Sequence, residues 1–256
     1  MTVAVSAISG IEVSLTHGQL HYHNSHSPLF VNLNLTLPKG KWTCILGKSG
    51  CGKTSLLRLL AGLLDDKAQW QGELTTCNGK TPASQVAYMA QQDLLLPWLS
   101  VLDNVCFSVR LMKGKPSADD KVRALDLLRK VGLADYAGAY PDSLSGGMRQ
   151  RVALARTLMQ DKPLLLMDEP FSALDAVTRH KLQNLAAELL ADKTVLLITH
   201  DPQEALRLGH QILLMTGSPA AVSSLPIPSS AAPRQFDAEL AIFQQQIIEQ
   251  LEQDYG

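Results

Sequence analysis

Residues 47–54 read GKSGCGKT, and they sit between a short apolar run at 42–46 and a stretch with leucines at 56, 57, 59, 60, 63 and 64. This octapeptide restricts the fold more than any other segment. Gly47, Gly50 and Gly52 permit backbone angles that aim successive N–H groups at phosphate oxygens, together with the backbone of Lys48, Ser49 and Cys51. A helix that starts at the loop adds its positive end. Lys53 contributes a point charge, and the Thr54 hydroxyl is a hard oxygen ligand suited to Mg²⁺. A buried strand before the loop and a broadly apolar helix after it are the context such a phosphate cradle needs, and they mark the chain as α/β.

The bulk composition excludes several classes of protein. The 256 residues suit one large domain or two closely joined lobes. The 23 basic and 24 acidic residues nearly cancel, which argues against the basic footprint of a nucleic-acid partner. No apolar stretch approaches the roughly 18 residues of a membrane span. The first residues, MTVAVSAISGIEVS, have neither the basic start nor the long apolar run of a secretory leader. Cys44, Cys51, Cys77 and Cys106 are scattered, so reduced thiols are expected rather than a disulfide frame or a metal knot.

Period-2 alternation at 11–15 and 31–37 predicts half-buried strands, separated from 42–46 by a turn at 38–41. Strands are expected again within 72–90, ending at 86–89. A helical pattern then covers about 93–162 and is clearest at 121–131 and 149–159. The apolar runs at 164–167 and 194–199 read as buried central strands, 203–208 as helix and 212–215 as strand. The expected organisation is therefore a mixed α/β core over 1–216 with a helical insertion at about 93–162. A Pro/Ser/Ala-rich connector follows at 217–235. Phe236, Leu240, Phe243, Ile247 and Leu251 then recur at helical spacing, so 236–256 is expected as an amphipathic helix packed on its own domain.

Four further features carry chemistry. Asp168 and Glu169 follow four apolar residues, which brings both carboxylates to the C-terminal edge of a buried strand, where parallel α/β sheets bind ligands. Asp168 suits a metal-holding role and Glu169 that of a general base for an attacking water. Taken alone, the pair also reads as two solvated acids closing a strand. His200 follows a second apolar strand and reaches the same edge, where a neutral imidazole can bond a phosphate or the water. Gln91 closes the strand at 86–89 and can meet the metal or the water. Finally, Ser145-Gly146-Gly147 opens the helical run 148–159, which makes a second anion-binding helix start. By itself this piece reads equally as a simple helix cap and turn.

The full array resembles the nucleotide-binding subunits of ATP-binding cassette (ABC) transporters over nearly the whole chain. Residues 47–54 resemble that family's Walker A loop, Gln91 its Q-loop glutamine, LSGGM at 144–148 its signature, Asp168 and Glu169 its Walker B acids, Asp175 (within SALD at 172–175) its D-loop and His200 its switch histidine. The resemblance implies a P-loop NTPase (RecA-like) core with an N-terminal antiparallel β subdomain and an inserted α-helical signature subdomain. It also implies ATP and Mg²⁺ as ligands, with Thr54, Gln91 and Asp168 near the metal and Tyr22 stacking on adenine. Two copies would pack head to tail, each phosphate loop facing the other's Ser145-Gly146-Gly147 with ATP at the interface.

LLPW at 95–98 with Asp103-Asn104-Val105 resembles importers of nitrate, taurine, alkanesulfonates and thiamine-pyrimidine precursors, and Tyr140-Pro141 before the signature resembles importers rather than exporters. That likeness implies integral membrane permease partners, an indirect periplasmic or lipoprotein solute-binding protein, and a peripheral place at the cytoplasmic face of the inner membrane. A soluble ABC-type ATPase outside transport is the competing class, but it ordinarily carries paired cassettes, a coiled-coil insertion or a basic surface. Intact Lys53, Asp168, Glu169 and His200 speak against a module that binds ATP without hydrolysing it. His17, His21, His23 and His26 cluster within ten residues, yet without a nearby acid or thiol ligand they read as a polar surface loop.

Overall fold

Chain segments that are apolar at nearly every position have no face to offer water, and three such segments form the centre of one compact unit. In a computed structural model, which describes residues 9–64, 66 and 68–255, they are fully buried strands. The segment read as lacking a secretory leader lies mostly outside the described residues. In chain order the elements begin with β1 (Val13–Tyr22), β2 (Phe30–Leu37), β3 (Trp42–Leu46), α1 (Lys53–Ala61), β4 (Ala68–Thr76) and β5 (Val86–Met89). Next come α2 (Val101–Val105), α3 (Phe107–Lys113), α4 (Ala118–Lys130), α5 (Gly146–Met159), β6 (Leu164–Asp168) and α6 (Ala176–Leu189). The chain continues through β7 (Thr194–Ile198), α7 (Pro202–Leu208), β8 (Gln211–Thr216), β9 (Ala221–Leu225) and α8 (Ala238–Tyr255).

The chain divides into two compact units. The first takes residues up to Val86, Pro163–Asp168 and Leu190 onward; the second takes Ala87–Lys162 and Glu169–Leu189. The helical insertion expected at about 93–162 is thus joined in its unit by 169–189, which includes α6.

In the first unit β6, β7, β3 and β8 run parallel in that order, with β9 antiparallel at the edge. Ile198 at the end of β7 lies beside Ile45 of β3 and Asp168 of β6, so the loops after these strands leave from one edge. α1 packs on β6, and α7 packs on β3 and α8. A second, antiparallel sheet in the order β2-β1-β4 carries the N-terminal strands. Its register shifts around His17, whose positive φ and ring bond to Asn32 Oδ1 fit a bulge.

Segment 217–235 departs from the connector expected there. β9 lies within it and pairs with β8 over its whole length, from Ile212↔Leu225 to Thr216↔Ala221. Its Ala-Val-Ser-Ser-Leu sequence is poor in strand formers, so the neighbouring strand supplies what propensity does not. Arg234, from the same segment, is 5% exposed. In α8, Leu240 and Ile247 of the apolar stripe are buried, whereas Phe236 just before the helix is exposed.

The second unit is helical. α5 packs against α2, α3 and α4, and Ser145 caps its start by accepting the Met148 N–H at 3.3 Å. α4 begins with a reciprocal box in which Ser117 and Asp120 each satisfy the other's backbone.

Candidate functional site

The phosphate loop lies in the first unit, and its backbone explains its composition. At Gly47 φ is 152°, and a Cβ there would stand 2.2 Å from the Met215 carbonyl oxygen of β8, so only glycine fits. Gly52, at φ 109°, makes the turn from loop into α1. Lys53 is buried and its ammonium donates to the carbonyls of Gly47 at 2.7 Å and Lys48 at 2.8 Å, which ties both ends of the loop together. Its Nζ also lies 3.8 Å from the Cys51 sulfur. The next residue, Thr54, donates its hydroxyl to Asp168 Oδ2 at 2.8 Å. A hydroxyl and a carboxylate gathered beside a phosphate cradle are the hard oxygen donors that Mg²⁺ takes alongside phosphate oxygens and water. The residues present therefore fit that ion. Among the described residues there is no cluster of three or more His, Cys, Asp or Glu side chains that could form an all-protein metal cage.

Tyr22, at the end of β1, donates its hydroxyl to Ser55 Oγ at 3.0 Å, one residue beyond Thr54. That places the aromatic ring suggested for adenine beside the start of α1. His200 is exposed and stands two residues past Ile198. Asp201 then caps α7 by accepting the Gln203 N–H, while Thr199 Oγ1 accepts the Asp201 N–H.

In the second unit the chain resumes at Glu169, a non-glycine residue at φ 48°. Left-handed backbone costs an L-residue about 1–2 kcal/mol, and the following turn opposes that cost. Ser172 donates both its N–H and its hydroxyl to the Glu169 carbonyl, at 3.3 and 3.0 Å. Buried Gln150 of α5 donates to the Pro170 carbonyl at 3.0 Å. The Glu169 carboxylate accepts from Gln91 Nε2 at 3.2 Å. Two adjacent acids thus take different partners, Thr54 for Asp168 and Gln91 for Glu169.

The Ser145-Gly146-Gly147 start of α5 is held from both sides. Arg149 donates to the Leu144 carbonyl at 2.8 Å and forms an ion pair with Asp93 at 3.0 Å. Arg156 donates to the backbone carbonyls of Asp93 and Leu94. Gly147 lies close to Ala173 and Leu174, its missing Cβ position 3.4 Å from the Ala173 carbonyl oxygen. Asp175 caps α6 by accepting the Thr178 N–H at 3.0 Å. That bond, first among its hydrogen bonds to Thr178, holds the Asp175 carboxyl below the usual carboxylate range.

LLPW at 95–98 becomes a shaped surface because of Asn104, which is fully buried. Asn104 accepts the Leu96 N–H at 2.8 Å and donates to the carbonyls of Leu96, Leu99 and Ser100, each at 3.1 Å. The loop so fixed leaves Trp98 70% exposed, with Leu94 also outward. Sequence reasoning singled out Trp98 but missed how it is presented. It also missed Gln150 and the pairing of Asp93 with Arg149. The only sequence signal for Arg149 and Gln150 was polar residues inside a helix otherwise facing a core, and Asp93 lies in a loop with none.

Comparison with known proteins agrees with this geometry. Residues 30–172 match the family described as ABC transporter. The chain is 47% identical over 227 residues to an uncharacterised ABC transporter ATP-binding protein of Haemophilus influenzae, covering 87% of this chain and 92% of that protein. It is 41% identical over 222 residues to an aliphatic sulfonates import ATP-binding protein, SsuB 1, of Rhodococcus jostii, covering 86% of each. Among solved structures, the ATP-binding cassette MJ0796, in a dimeric post-hydrolysis state bound to ADP and Pi, matches with a TM-score of 0.73 at 30% identity, over 88% of this chain and 100% of that one. The chain belongs to the ABC transporter family and has the fold of its ATPase cassettes.

Proposed function

We propose that this protein is the ATP-hydrolysing, energy-coupling subunit of an importer for a small polar solute of the sulfonate type. The observation that carries the reading is the division of labour at the end of β6. Asp168 faces the hydroxyl of the phosphate-loop threonine, while Glu169, one residue on and turned by its left-handed backbone, faces Gln91. In this reading the loop residues Gly47 to Thr54 hold the triphosphate, with Lys53 releasing loop carbonyls to meet phosphate oxygens. Thr54 and Asp168 would hold Mg²⁺, with Gln91 as a further proposed ligand, and the ion when bound would neutralise phosphate charge. Glu169 takes the proton of the attacking water, a role worth about 10²–10⁴ in rate. Gln91 orients that carboxylate, and His200 bonds the γ-phosphate or the water.

Two copies are proposed to pack head to tail, so that Ser145, Gly146 and Gly147 of one copy supply a helix start to the ATP held by the other. The dimeric state of the MJ0796 cassette supports this arrangement. Asp175, following Ser172 in the same turn, belongs to the interface, and Tyr22 stacks on the adenine. The surface presenting Trp98 receives the integral membrane permease, and a solute-binding protein delivers cargo to that permease from the far side. No helix among the described residues is long and apolar enough to cross a membrane, so the proposed attachment is peripheral, at the cytoplasmic face of the inner membrane.

A photo-crosslinking residue in place of Trp98, in cells that also make the permease, tests the coupling assignment. A crosslink to the permease is the expected outcome. Absence of any crosslink from positions 95–110, in cells that import normally, removes it.

A further inference from the structure

The first unit carries an open pocket of about 550 Å³ away from the phosphate loop. Pro38 and Lys41 from the turn before β3 line it, with His210 and Gln211 at the start of β8. Its remaining wall is the 227–234 stretch, which ends on Arg234. Three of these residues are basic and no acid lines the cavity. Large parts of the wall, including Pro38, Ile227 and Pro228, are apolar.

The basic groups are held in fixed places. His210 is pinned to the first residue of β3: its N–H donates to the Trp42 carbonyl at 2.8 Å, and its Nδ1 accepts the Trp42 N–H at 3.2 Å. An Nδ1 that accepts leaves the ring proton of the neutral imidazole on Nε2, as a donor. Arg234 donates to the carbonyls of Leu206 and Gly209 at 2.7 Å each, to Ser230 at 2.7 Å and to Pro228 at 3.3 Å. Carbonyl dipoles fix its position without cancelling its charge. Glu239 on α8 is the nearby acid whose charge reaches it. The ring of His210 reports the resulting field. Burial first, then the charges of Lys41 and Arg234, hold it below the usual histidine range.

We infer that this cavity binds a small organic oxyanion, with its acid group at His210 and Lys41 and its aliphatic part against Pro38, Ile227 and Pro228. The chemistry is that of a ligand pocket, apolar walls with a few convergent polar groups, set in a positive field. Its place is separate from the triphosphate cradle, and the inference does not depend on which solute the importer carries.

The test is a titration of the full chain with 1-butanesulfonate, with ADP and Mg²⁺ present to fill the phosphate loop, read from the His210 ring resonances by NMR. The expected result is a saturable shift, with affinity at least tenfold weaker in Lys41→Gln, a change confined to an exposed side chain. Inorganic sulfate is expected to bind several-fold more weakly than the sulfonate. A missing shift, an equal shift with tetramethylammonium chloride at matched ionic strength, or unchanged affinity in Lys41→Gln overturns the site. Equal affinity for sulfate and butanesulfonate overturns the apolar contact.

Discussion

The phosphate loop and the Ser145-Gly146-Gly147 helix start, the two proposed anion cradles, are held by different physics. The loop hangs from a fully buried strand, its lysine is clamped by loop carbonyls, and its threonine is tied to a carboxylate on another buried strand. The Ser-Gly-Gly start is exposed, and its anchors are long side chains: Arg149 on Leu144 and Asp93, and Arg156 on the Asp93–Leu94 backbone. The first cradle is therefore a property of the sheet, whereas the second is a property of a guanidinium network around one helix. A site meant to hold a ligand within one chain gains from the first design. A surface meant to engage and release a second copy gains from the second.

The largest effect is expected where the chain passes from Asp168 to Glu169. Glu169→Gln keeps the Gln91 contact possible but removes the proton acceptor. Turnover is expected to fall by at least about 10² while ATP still binds. ATP-driven dimers then persist, which size-exclusion chromatography with ATP detects. Near-normal phosphate release in this variant removes Glu169 from the base role.

Lys53→Met and Ser145→Arg separate the two cradles. Lys53→Met removes the charged donor proposed to meet phosphate, so ATP affinity is expected to fall roughly 10–100-fold, in line with about 1.5–3 kcal/mol for a charged hydrogen bond. Ser145→Arg is expected to leave nucleotide affinity of the isolated chain within about threefold while ATP-dependent dimers disappear. Fluorescent-nucleotide titration and light scattering read the two effects. If Ser145→Arg weakens nucleotide binding in the monomer as strongly as Lys53→Met does, both cradles serve a single chain and the head-to-tail reading fails.

Much of the first cradle was legible because its parts are local. Eight consecutive residues and two apolar strands carry it, and strand-end position alone brings Asp168 and His200 to its edge. The second unit was less legible. The LSGG turn could be read, but the side chains that hold it, Asp93, Arg149, Arg156 and Gln150, meet across long sequence separations that no periodicity announces. Residues 217–235 were misleading in the opposite direction. Composition rich in Pro, Ser and Ala reads as connector, yet β8 recruits five of those residues as β9, and Arg234 finds four backbone carbonyls to bind. Neither fact has a local signature, because β9 depends on the free edge of β8 and Arg234 on carbonyls at the end of α7 and in its own loop.

Arg234 gives the third test, since it braces the sheet unit as Arg149 and Arg156 brace the helical one. Arg234→Met strands several carbonyls near the end of α7, at a cost of about 2 kcal/mol and so roughly 4–8 °C in Tm. Calorimetry of the nucleotide-free chain measures it. A change within about 1 °C means that water replaces the guanidinium and that the tail is not braced this way.

The smallest effect expected is an acid sensitivity confined to the strand that carries the phosphate loop. His210 is bonded to Trp42, where β3 begins, and its folded-state affinity for a proton is depressed by burial and by the charges of Lys41 and Arg234. The unfolded chain binds that proton more readily, with an ordinary value of 6.5. Where the unfolded state holds more protons, stability rises with pH. The contribution is therefore fully present above about pH 6.5 and is lost as pH falls below it toward the depressed folded value. Urea unfolding at pH 7.5 and 5.5 is expected to show a larger loss for the native chain than for His210→Gln, which has nothing to titrate. Parallel losses in the two proteins place the acid-sensitive group elsewhere and leave β3 anchored independently of the imidazole.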